Sequence, residues 1–134
     1  VTKIFIDTAD LAEIERWLGR EIIQGCTTNQ KIFLEKARGC NFEEQAKKIL
    51  ELTSPLPVSL EGPNNYQGII DAAKQYMDWT DPCGKPFNNI VIKVPMLNNG
   101  DGLSAVKTLK ERFTKTNVTA CMTLNQTFLA ACAG

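Results

Sequence analysis

The feature that most constrains this chain is an alternation. Five times in succession a short aliphatic or β-branched run gives way to a stretch of helical period. The runs are residues 3–7, 22–29, 57–61, 89–95 and 117–123. After the first, Asp10-x-x-Glu13 is a carboxylate version of the capping box and opens a helix with Leu11, Ile14 and Leu18 on one side. Two helical pieces follow the second run, one over residues 32–36 and one from an Asn41 cap through Phe42, Ala46, Ile49 and Leu50, stopped by Pro55 and Pro57. The spacing predicts a helix over residues 68–79 that presents Ile69, Ile70, Ala73, Tyr76 and Met77, with Trp79 at its end. The next helix carries Leu103, Val106, Leu109 and Phe113, and residues 126–133 form the last. Repeated strand-helix units require a parallel sheet with right-handed crossovers, hence an α/β fold in a single domain over residues 1–134. A five-stranded doubly wound sheet is complete at this length, whereas a barrel of typical size, ~250 residues, needs three more units.

Side chains alternate along a strand, so parity assigns faces. In the fourth run Ile90, Ile92 and Val94 share one face, opposite Val91, Lys93 and Pro95. Ile4 and Ile6 oppose Phe5 and Asp7, Val58 and Leu60 oppose Ser59 and Glu61, and Val118 and Ala120 oppose Asn117, Thr119 and Cys121. Thr27 and Asn29 belong to the second run. Each strand therefore has an apolar side for helices and a polar side near its C-terminal end. A doubly wound sheet is covered on both faces, so one polar face fits a barrel better.

Lys93 is the anomaly, because an ammonium inside Ile-Val-Ile-Lys-Val loses hydration that no sequence neighbour replaces. Desolvation disfavours the charged form and predicts an amine neutral near physiological pH, able to attack a carbonyl and form a Schiff base. The bland alternative is a structural ion pair of Lys93 with Glu61 or Asp7, although buried pairs stabilise poorly compared with apolar residues.

Composition narrows the chemistry. With no histidine, Ser-His-Asp and Cys-His catalysis and imidazole metal sites are excluded, so acid-base work falls to carboxylates, lysine, tyrosine or cysteine. Fifteen Lys and Arg balance fifteen Asp and Glu, which gives no net field to draw in nucleic acid or an anionic membrane. The helical cluster Lys107, Lys110, Arg112 and Lys115 reads as solvated charge near a helix end. Five scattered cysteines without a C-x-x-C pair argue against a disulfide framework or metal knuckle and for a reducing, cytoplasmic setting. No apolar run approaches the ~20 residues of a membrane span, and the N-terminus lacks a signal-peptide pattern. Asn98-Asn99-Gly100-Asp101-Gly102 reads as a turn and helix start rather than a phosphate cradle. Cys121 reads as a small core residue rather than a nucleophile.

Taken together, Asp7-Thr8-Ala9-Asp10, Gly25-Cys26-Thr27-Thr28-Asn29, Ser59-Leu60-Glu61, Ile92-Lys93-Val94-Pro95 and Asn117-Val118-Thr119 resemble the transaldolase family in order and spacing over the whole chain. The resemblance implies a (β/α)8 TIM barrel, here five βα units of it. It also implies transfer of a dihydroxyacetone unit between sugar phosphates, in the pentose phosphate pathway, through a lysine Schiff base with no metal or organic cofactor. Lys93 matches the Schiff-base lysine; Glu61 matches the acid-base carboxylate, working through a water that Thr119 helps position. Asp7 matches the carboxylate that handles the donor hydroxyl proton, and Asn29 and Asn117, with Thr27 beside them in the motifs, match the donor-binding residues. A related branch, fructose 6-phosphate aldolase, typically has glutamine where this chain has Glu61, which tilts the choice towards transaldolase.

Two departures stand out. Gln30 follows the Thr-Thr-Asn triplet where the family usually has proline. The family's phosphate-binding arginine and serine lie on strands later than the five present here. Five units also leave two parallel edges and the barrel lining uncovered, so the expectation is association with a second copy, or with a complementary chain that completes the barrel, or that the chain is a piece of a longer one. The readings from other classes are a flavodoxin-like binding module and a non-catalytic assembly subunit.

Overall fold

All five strand-helix steps form, in the order β1 (Ile6–Asp7), α1 (Leu11–Leu18), β2 (Cys26–Thr27), α2 (Gln30–Lys36), α3 (Phe42–Thr53), β3 (Val58–Glu61), α4 (Tyr66–Met77), β4 (Ile90–Pro95), α5 (Asp101–Glu111), β5 (Thr116–Thr119) and α6 (Leu124–Ala133). The computed structural model describes residues 2–37, 39–112 and 114–134, so Phe113 lies outside the described residues. The strands follow chain order in one sheet, β1-β2-β3-β4-β5. Pairing is parallel between β1 and β2, β2 and β3, and β4 and β5. A doubly wound sheet reverses its strand order at a switch point, whereas barrel strands succeed one another in chain order. The fold is therefore of the parallel (β/α) barrel type, in five units. Among the described residues no helix is long and apolar enough to cross a membrane.

The chain divides into two compact units, Val1–Leu60 with Asp78–Ile90, and Glu61–Met77 with Val91–Gly134. In the first, Ile14 of α1, Ile49 and Leu50 of α3, and Val58 and Leu60 of β3 are fully enclosed, each burial contributing about 1.5–3 kcal/mol. The Asn41 cap forms as expected, its Oδ1 accepting from the amides of Glu43 and Glu44. Asn89 donates through its side-chain amide to the carbonyls of Leu50 (3.0 Å) and Leu56 (3.1 Å), tying the end of α3 to the approach to β4. Phe42 meets Phe33 edge-on with centroids 4.6 Å apart, and Trp79 lies 6.2 Å beyond it.

Several boundaries differ from expectation, each for a local reason. The first run is regular only over Ile6–Asp7, because the Ile4 amide donates to the side chain of Gln24 (2.8 Å) instead of joining the ladder. The Gln24 side-chain amide also turns back to the Ile22 carbonyl, and although the Gln24 main-chain amide still donates to the Ile4 carbonyl (2.8 Å), the regular part of the second run is Cys26–Thr27. A Cβ at Gly25 would run into the Phe5 ring, which would have to turn aside. Asp10 caps α1 by accepting from the amides of Ala12 and Glu13, but the reciprocal half of the box is absent: Glu13 accepts from the Thr8 hydroxyl at 2.7 Å. Trp79 stands beyond the helix rather than on it, its carbonyl accepting from the Phe87 amide next to the Thr80–Pro86 bridge.

In the second unit, α4 starts two residues earlier than expected, where Asn65 accepts from the Gly68 amide at 2.8 Å. Ile69, Ile70, Ala73 and Tyr76 are buried, but Met77, expected on the same face, is 41% exposed. The amide of Tyr66 donates to the Asp101 carboxylate (3.1 Å) and its hydroxyl meets that of Thr108 (3.1 Å), joining α4 to α5. Gly100 takes a left-handed φ of 84° and starts α5, so residues 98–102 form the expected turn and helix start. Gly102 lets the first turn of α5 sit against the Pro95 carbonyl oxygen, a place no side chain could share. Strand β5 stops at Thr119, four residues short of the expected end, because Ala120 adopts φ 59° and breaks the extended run. Alternation fails from that point, and Cys121 is a half-buried loop residue rather than a core one. Thr123 then caps α6 in a full capping box with Gln126.

Candidate functional site

The second unit carries Glu61 and Thr119 at the C-terminal ends of β3 and β5, with Lys93 and Asn117 two residues before the ends of β4 and β5. Strand β4 is buried throughout, so Lys93, fourth of its six residues, is held with only 11% of its side chain exposed. Its Nζ lies 3.6 Å from Oε2 of Glu61, whose side chain is 17% exposed. The bland expectation of an ion pair is thus met by Glu61. Chain register sets Lys93 opposite Asn117 and Pro95 opposite Thr119. Paired residues of a parallel ladder project to the same side about 4.8 Å apart, so Asn117 flanks Lys93 and Thr119 lies one pleat further towards the strand end. The Met96 amide donates to the Thr119 carbonyl at 2.9 Å, which holds that end in register.

The first unit carries Asp7, Thr27 and Asn29. Register sets Asp7 beside Thr27, and the Thr27 hydroxyl donates to Asp7 Oδ1 at 2.7 Å, fixing the carboxylate at the end of β1. Asn29 is the N-cap of α2; its Oδ1 accepts from the Ile32 amide at 2.9 Å, which orients the side chain. The cap forms with Gln30 at the first helical position, so helix entry here does not need proline.

Three contributors escape sequence reading. Thr8, 1% exposed, donates to Glu13 and accepts from the Asp10 amide, bracing the loop after Asp7. Cys26 gives its thiol hydrogen to the Thr8 carbonyl; burial foremost, then the neighbouring Asp7 charge, pushes the thiol up to about 12 and keeps it an unreactive spacer. Tyr76 donates its hydroxyl to the main-chain carbonyl of Glu61 at 3.2 Å, and burial, with the Glu61 carboxylate adding, pushes the phenol up to about 12. The available signal for Tyr76 is general: a tyrosine on a buried helix face needs an acceptor for its hydroxyl.

A parallel β/α protein of barrel type, with a lysine-carboxylate pair at its strand ends and no imidazole, is the class defined so far. Two comparisons place it more closely. Residues 4–134 match the model of the family described as Transaldolase/Fructose-6-phosphate aldolase, and the chain belongs to that family. It is similar to proteins named "Probable transaldolase": 41% identical over 133 residues to one from Anaeromyxobacter sp. (strain K), and 37% identical over 133 residues to one from Carboxydothermus hydrogenoformans. Each alignment takes in 98% of this chain and 56% of the relative, so the chain spans little more than half the length of these curated relatives.

Proposed function

We propose that this chain carries the imine-forming half of a transaldolase, acting on sugar phosphates. The carrying observation is the buried Lys93 Nζ set 3.6 Å from the Glu61 carboxylate on a strand-end face that also bears Asn117 and Thr119. In this reading the Lys93 amine attacks the ketose carbonyl to give a carbinolamine, which loses water to form the imine. Glu61 gives and takes the protons of that step. The relay, in this reading, runs through a water that the Thr119 hydroxyl orients. Asp7, held by Thr27, takes the proton from the donor hydroxyl as the carbon-carbon bond breaks. The aldose phosphate leaves, and the bonding electrons pass into the iminium as an enamine. That enamine adds to a second aldose phosphate with the proton returned, and water then hydrolyses the resulting imine, releasing the new ketose phosphate and the free Lys93 amine. Asn29 and Asn117 hydrogen-bond the donor hydroxyls.

Family membership and the relatives' names support this reading, and the carboxylate at position 61 favours transfer over simple aldol cleavage. The five free thiols support a reducing cytoplasmic setting. The apolar side chains of α6 exposed to solvent, Leu124, Phe128 and Leu129, support association with a second copy or a complementary chain, which the mass in solution distinguishes. The deciding experiment supplies fructose 6-phosphate with and without an aldose phosphate acceptor. Product that forms only with acceptor is the expected result. Release of free dihydroxyacetone without acceptor makes the chain an aldolase, and no turnover with no sugar bound makes it an assembly subunit.

A further inference from the structure

Glu61 is the last residue of β3, where the ladder ends, and three observations fix its backbone. The Tyr76 hydroxyl donates to its carbonyl at 3.2 Å. Tyr76 itself is only 5% exposed, on the inward face of α4. Gly62, the next residue, lies so close to α4 that a Cβ on it would come within 2.6 Å of the Ala72 Cβ. A phenol at a buried helix position costs desolvation that an aliphatic side chain of similar size avoids, and the bond to the Glu61 carbonyl offsets part of that cost. That bond ends on the residue whose carboxylate faces Lys93.

We infer that Tyr76 is a positioning residue for Glu61: by anchoring the Glu61 main chain to α4, its hydroxyl holds the carboxylate at its working distance from the Lys93 amine. The inference rests on the proposed roles of Lys93 and Glu61. It gives α4 a part in the chemistry although Tyr76 touches no reacting atom. Loss of the hydroxyl widens the range of Glu61 orientations and slows proton delivery, without removing any group that takes part.

The test is a double-mutant cycle on the full chain, pairing Tyr76→Phe with Glu61→Gln and reading the rate of borohydride trapping with fructose 6-phosphate. Tyr76→Phe is expected to slow trapping about fivefold when Glu61 is present, the equivalent of one hydrogen bond, and to leave the slower Glu61→Gln rate unchanged. A merely structural tyrosine slows both backgrounds equally; that result, or no slowing in either, overturns the inference. Trace acetylation of Lys93 by acetic anhydride, mapped by mass spectrometry, gives a second reading that needs no sugar. Tyr76→Phe is expected to change the Lys93 labelling rate about threefold in the Glu61 background alone. Equal change in both backgrounds, or none, overturns the inference there too. Tyr76→Leu, which also removes the hydroxyl, is read in the same way. Should the unaltered protein trap no sugar at all, the Schiff-base reading fails, and labelling alone decides the place of Tyr76.

Discussion

Lys93 Nζ and Glu61 Oε2 lie 3.6 Å apart, in side chains that are 11% and 17% exposed. A contact of that length is longer than a charge-assisted hydrogen bond, which closes to about 2.7–2.9 Å. Two groups so enclosed and so loosely joined add little to stability compared with apolar residues in the same space.

Glu61→Gln keeps the shape of the side chain and removes its charge. Imine formation, followed as the rate of borohydride trapping, is expected to fall about 10²-fold, the lower range for loss of a general acid-base group. The site of attachment should not change. An undiminished rate removes Glu61 from its role.

Asp7→Asn separates cleavage from imine formation. Trapping of fructose 6-phosphate is expected to persist near its normal rate, while transfer to an acceptor drops by about 10²-fold. Thr27→Val, which deletes the 2.7 Å bond to Asp7 Oδ1, should lower transfer less and cost about 0.5–1 kcal/mol in urea unfolding. Loss of trapping in Asp7→Asn contradicts this division of labour.

Gly102→Ala tests the packing that seats the end of β4. The added methyl runs into the Pro95 carbonyl oxygen, which is main chain and has no flexible end to yield. A loss of about 2–3 kcal/mol in unfolding free energy is expected. A midpoint equal to that of the unaltered protein shows that α5 can move away from β4 without cost.

Alkaline pH should destabilise the fold through Cys26 and Tyr76. Below their ordinary values of 9.0 and 10.0 both groups are protonated in the folded and unfolded chain, and their contribution is fully present. As pH rises through those values towards about 12, the unfolded chain sheds protons that the folded chain keeps, so stability falls. The slope is about 1.4 kcal/mol per pH unit for each group in its window. Urea midpoints at about pH 8 and pH 10.5 measure the drop, and Cys26→Ala should flatten its earlier part. A midpoint that holds steady across this range contradicts the assignment.

What the sequence disclosed was largely decided by periodicity. The unbroken β-branched run around Lys93 marked β4, and parity correctly set Lys93 and Asn117 to one side, since neighbouring parallel strands keep that relation whatever their length. The errors arose where a single side chain or torsion overrode the pattern. Gln24 replaced a ladder bond at Ile4, Glu13 chose Thr8 over the Asp10 amide, and the left-handed Ala120 ended β5 before Cys121. The Tyr76 contact joins residues fifteen apart through an aromatic side chain reaching from helix to strand end, and no local period encodes such a reach.

The central claim is that Lys93 is the amine that captures a ketose. It is tested most directly by reducing the protein with borohydride in the presence of fructose 6-phosphate and locating the adduct by tandem mass spectrometry. The account predicts a stable adduct on Lys93 in the unaltered chain, and none in a folded Lys93→Arg variant. An adduct on a different lysine, or none on the folded unaltered chain, contradicts it.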